Sequence, residues 1–108
     1  MIEEHKEQHE MNDQAQQQIA ALLSETGAAH GVYEEGELSG VYDQNWPAWY
    51  AAYLADHGLS SHVGVALAVE QLSQLLKQYD QDYQHEQPRE GWPAYYARRL
   101  VMQFGIEH

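Results

Sequence analysis

Apolar positions along the chain fall at helical spacing, and no stretch alternates with the period of two that a strand would show. Ile19, Leu22 and Leu23, with several alanines, form an amphipathic stripe from about Gln14 to Glu25. Thr26-Gly27 then predicts a stop, because glycine readily takes the left-handed conformation that ends helices. Residues 28–45 hold Gly31, Gly36 and Gly40 among several acids, without a clear period, and read as a long connection. Connections of that length inside a compact domain are usually functional or mobile. A second helix is expected from Asn45, a good cap, with Pro47 in its first turn, where a missing N–H costs nothing. Gly58 ends it.

The strongest periodic signal follows. Val65, Val69, Leu72, Leu76, Tyr79 and Tyr83 are spaced 4-3-4-3-4, the seam of a helix packed on its neighbours. This predicts the longest helix, from about Ser61 to Gln84, capped by Ser60 or Ser61. Residues 85–91 form a turn with Pro88 as breaker. A last helix begins at Trp92 and extends its apolar face through Leu100, Val101 and Phe104.

Two of these helices open on the same words. Trp46-Pro47-Ala48-Trp49-Tyr50-Ala51-Ala52-Tyr53-Leu54 returns as Trp92-Pro93-Ala94-Tyr95-Tyr96-Ala97-Arg98-Arg99-Leu100, with six of nine positions identical. Each copy follows a leucine-bearing stretch, Leu22-Leu23 or Leu75-Leu76. The expected fold is therefore all-α, a four-helix bundle-like array built from two duplicated helical hairpins, with the connection before each cassette differing by seven residues. One domain over residues 1–108 is the natural count. Residues 1–13 are polar all round and read as a frayed end or an extension of the first helix.

Charge narrows the partners. Seventeen acidic residues face five basic ones, for a formal net charge of −12. Ten acids against Lys6 alone lie within residues 1–43. Nucleic acid and anionic membranes both demand basic side chains, so neither is an expected partner. No apolar run is long enough to span a bilayer, and the acidic start lacks the basic and apolar regions of a signal peptide. With no cysteine, disulfides and thiolate metal sites are excluded, which fits a cytoplasmic protein.

Candidate chemistry is sparse. Helical spacing groups Trp46, Trp49, Tyr50 and Tyr53 on one broad face, and Trp92, Tyr95 and Tyr96 on another. These rings serve either as packing between hairpins or as a binding surface. Arg98 and Arg99 give the second cassette a basic pair that could hold an anionic group or pair with the acids at 34–37. His30 with Glu34, and His85 with Glu86, precede the two cassettes and are the candidate metal ligands. His5 and His9 sit four apart, a workable imidazole pair, and His57 and His62 flank one turn. No di-iron Glu-x-x-His pair, phosphate-binding loop or nucleophile elbow is present, so no cofactor is expected and catalysis cannot be argued. The reading is a non-enzymatic protein-interaction or regulatory module, with self-association or a protein partner. The alternative is a small-ligand or metal-binding protein, an enzyme included, using histidines and carboxylates beside the cassettes.

Overall fold

The computed structural model describes the backbone of residues 2–104 and the side chains of residues 14–104. It is all-helical. In chain order the helices are α1 (Ile2–Gly36), α2 (Trp46–Asp56), α3 (Leu59–Val63), α4 (Val69–Glu86) and α5 (Trp92–Phe104). The HxxxH pair at residues 5 and 9 falls on the part of α1 whose side chains lie outside the described ones.

Two expected boundaries moved. The first helix does not stop at Thr26-Gly27 but continues nine residues past Gly27, to Gly36. The Thr26 hydroxyl donates back to the Leu22 carbonyl at 2.7 Å, so the helix interior satisfies it. Gly27 is helical here, and its missing side chain has a different use. A Cβ at this position would lie 2.9 Å from Trp92 Cζ2 and 3.5 Å from the Tyr50 hydroxyl. The glycine is a notch that lets two rings approach the helix backbone. The helix ends instead at a turn with Ser39 (φ 53°) and Gly40 (φ 83°) in the left-handed region.

The expected long helix over 61–84 is two helices. Gly64, at φ 76°, closes the short α3, and α4 starts only at Val69. Val65 and Val69, the first two residues of the periodic seam, are accordingly 43% and 41% exposed, while Leu72, Leu76 and Tyr79 are buried. Gly58, left-handed at φ 92°, takes the N-cap of α3 in place of the expected serines. Ser60 instead accepts the Leu67 N–H at 3.4 Å and steadies the α3–α4 link.

α1 packs against α2, α3 and α5, and α4 packs against α2 and α5. The core joins Ile19 and Leu23 of α1, Ala51 and Leu54 of α2, Leu59 and Val63 of α3, Leu72, Leu76 and Tyr79 of α4, and Tyr95, Tyr96, Ala97 and Leu100 of α5. Burying each large apolar side chain contributes roughly 1.5–3 kcal/mol. Ala51 and Leu54 of the first cassette, and Ala97 and Leu100 of the second, are all fully buried. Among the described residues no helix is long and apolar enough to cross a membrane.

Candidate functional site

The C-terminal turns of α1 and α4 and the N-terminal turns of α2 and α5 meet around a cavity of about 280 Å³. One wall is aromatic. Trp46 and Tyr50, one helical turn apart on α2, meet edge to face at 5.0 Å between ring centroids. Trp92 and Tyr96, the matching cassette positions on α5, meet edge to face at 5.3 Å. Tyr50 and Trp92 close the row at 5.9 Å. Proline at the second position of α2 and α5 starts each helix without loss of a needed donor, which fixes where the leading tryptophan sits.

The polar wall comes from the other two helices. His30 and Glu34 of α1, and Asp80 and Gln84 of α4, each form an i,i+4 pair facing the cavity. Tyr42, from the α1–α2 connection, and Tyr83 complete the lining. His30 is only 6% exposed and is boxed by the rings of Tyr33, Trp49 and Tyr50 at 5.9, 5.0 and 5.1 Å. Its Nε2 donates to Asp43 Oδ2 at 2.9 Å, and its Nδ1 lies 4.0 Å from Glu34 Oε1. Glu34 Oε2 accepts the Asp43 N–H at 3.0 Å, and Asp43 Oδ1 accepts the Asn45 N–H at 2.9 Å. Asn45 holds the N-cap position of α2, but its side chain makes no cap bond; Asp43 does the local bonding instead.

Opposite, Tyr96 donates its hydroxyl hydrogen to Asp80 Oδ1 at 3.3 Å, and Gln84 Nε2 donates to the same oxygen at 3.5 Å. Burial pushes the Tyr96 hydroxyl up, and the neighbouring Asp80 carboxylate pushes it further. Burial also raises Tyr50, with Glu34 adding to the effect. Both phenols therefore stay neutral, and the formal negative charge of the lining resides in Glu34 and Asp80.

The remaining candidates lie elsewhere. His85 and Glu86 are exposed and do not line the cavity. Among the described residues no group of three or more His, Asp or Glu is arranged to hold a metal ion. Arg98 pairs with Glu90 Oε1 at 2.6 Å, and Arg99 donates to Asp82 Oδ2 at 2.9 Å and to the Tyr95 hydroxyl at 2.8 Å. The acids at 34–37 are not their partners. Trp49 and Tyr53 stack on one another at 5.4 Å outside the lining, Tyr53 donates to Glu25 at 2.8 Å, and Tyr95 is buried. His57 stacks on Tyr53 at 3.8 Å and closes the end of α2.

Sequence reasoning missed Tyr42, Asp43, Asp80, Tyr83 and Gln84. The Asp80–Gln84 spacing was available as a signal, since it repeats the spacing of His30–Glu34 on the helix before the other cassette. No protein-family model matches the chain, and comparison with curated proteins and with solved structures finds no match either.

Proposed function

We propose that the protein is a non-enzymatic small-ligand-binding module, built from a duplicated helical hairpin, whose site is the cavity between the two cassettes. One observation carries the reading: Trp46, Tyr50, Trp92 and Tyr96, which occupy matching cassette positions, line a single cavity together. Paired edge-to-face rings recur in both copies, and an i,i+4 polar pair stands opposite each. A concave, largely aromatic site with a few convergent polar groups is the usual form of a small-molecule pocket. A volume of about 280 Å³ suits a compact ligand.

The duplication is supported by the burial of Ala51 with Ala97 and of Leu54 with Leu100. A protein-interaction or self-associating module ranks behind the ligand reading. Interface cores draw on exposed aromatic surface, whereas Tyr95 and Tyr96 are buried and Trp46, Tyr50 and Trp92 are half-buried in the cavity wall.

A fragment screen by protein-observed NMR tests the proposal. Binders are expected to move the indole resonances of Trp46 and Trp92 together, while leaving Trp49 still. Gln84→Trp, at an exposed position on the rim, is expected to fill the cavity and abolish those shifts with the helical spectrum unchanged. A broad set of cationic, neutral and anionic fragments that moves neither indole at millimolar concentration overturns the reading.

A further inference from the structure

We infer that the ligand of this cavity is a small organic cation, an alkylated or protonated amine; the inference rests on the ligand-binding reading above. Three features of the wall point the same way. Trp46, Tyr50, Trp92 and Tyr96 are the ring types whose faces attract cations, tryptophan most strongly, and grouped rings of this kind recognise alkylated ammonium groups. Glu34 and Asp80 add carboxylates from opposite sides. Their hydrogen bonds to Asp43 N–H and to the Tyr96 hydroxyl fall on Glu34 Oε2 and Asp80 Oδ1, so the other oxygen of each is not used in these bonds.

The third feature is that the lining includes no lysine or arginine. Lys77 is exposed in an adjoining groove that shares Trp46 and Asp80 with the cavity but does not line the cavity itself, Arg89 is exposed, and Arg98 and Arg99 are held by Glu90 and Asp82. Helix dipoles do not reverse the sign. Two C-termini and two N-termini meet at this end of the molecule, and their partial charges offset one another. The His30 ring has its Nε2–H turned to Asp43. An anionic ligand would find two carboxylates and no fixed counter-charge.

The test compares three probes of similar size on the purified protein, read by tryptophan fluorescence and by the Trp46 and Trp92 indole resonances. The probes are choline, its neutral isostere carrying tert-butyl in place of trimethylammonium, and pivalate. Choline is expected to bind about tenfold more tightly than the isostere, with pivalate weakest. Glu34→Gln with Asp80→Asn keeps the hydrogen-bond acceptors and removes the charge; it is expected to erase most of that preference, read as the ratio of choline to isostere affinity. Equal binding of choline and isostere overturns the cation inference but leaves the pocket standing. So does a fragment screen that yields neutral or anionic binders while choline fails. If no probe and no fragment moves either indole, both readings fall together.

Discussion

The two cassettes share a sequence pattern but not a role at every position. In the first, Trp49 and Tyr53 form an outward ladder that His57 extends, and Tyr53 ties to Glu25 on α1. In the second, Tyr95 replaces the tryptophan and is buried, while Arg99 replaces the tyrosine. Its guanidinium sits 4.7 Å over the Tyr79 ring and reaches Asp82 on α4. Both residues at this position therefore tie their helix to an acid on the preceding long helix, one through a phenol and one through a guanidinium. Matched positions build the cavity and the core. Of the differing ones, Tyr95 joins the core as well, whereas Trp49, Tyr53, Arg98 and Arg99 stay partly exposed and Ala52 is exposed.

The largest expected effect tests whether the matched positions are energetically equivalent. Leu54→Ala and Leu100→Ala each open a void in a fully buried site and are expected to cost about 2–5 kcal/mol in chemical denaturation. Their costs are expected to agree within about 1 kcal/mol, since the neighbouring Ala51 and Ala97 leave similar room to collapse. A substitution that unfolds the protein at one position and is mild at the other would break the comparison.

A subtler asymmetry lies in α1. Gly27 lies against Trp92 of the second cassette, whereas a Cβ at Gly31 would meet nothing within 4 Å. Gly27→Ala gains helix propensity but overpacks the notch, and a net loss of about 1–2 kcal/mol is expected. The Trp92 indole resonance is expected to move more than that of Trp46. Gly31→Ala has the propensity gain without the clash and is expected to stabilise by about 0.5–1 kcal/mol. Thermal melts of the two variants that shift in the same direction would remove the notch from the account.

The same pair of glycines explains what the sequence concealed. Whether a glycine ends a helix depends on its φ, and whether it sits at a contact depends on the tertiary fold; the letter alone gives neither. Gly58 was readable as a stop because it falls directly after a run of good helix formers. Gly64 is left-handed too, yet the valines around it continued an apolar period and hid the break. Extending α1 past Gly27 moves His30 and Glu34 from a loop to one helix face, and the polar wall becomes legible only then. The aromatic wall was visible from the repeat, although its division into cavity rings and outer rings was not. Asp43 had no local signature, because its partners His30 and Glu34 lie across a turn that no periodicity describes.

The smallest expected effect concerns the second cassette's outer face, where Tyr79 lies beneath Arg99. Among the described residues its hydroxyl is buried without a hydrogen-bond partner. Burial pushes this phenol from 10.0 up to about 12, against the opposing pull of the Arg99 guanidinium. A raised value means that the folded state holds the proton more tightly than the unfolded one. The associated stability is complete below pH 10 and drains away as pH rises toward and through about 12. Tyr79→Phe removes both the unpartnered oxygen and the titration. At neutral pH it is expected to be neutral or to stabilise by up to about 1 kcal/mol, since no hydrogen bond is lost. Between pH 10 and 12 its denaturation midpoint is expected to fall less steeply than that of the unsubstituted protein. Some slope remains, because Tyr50 and Tyr96 are raised by burial as well. A variant that loses more than about 1 kcal/mol at neutral pH would mean that the hydroxyl has a partner, and that Arg99 differs from Tyr53 in more than its choice of acid.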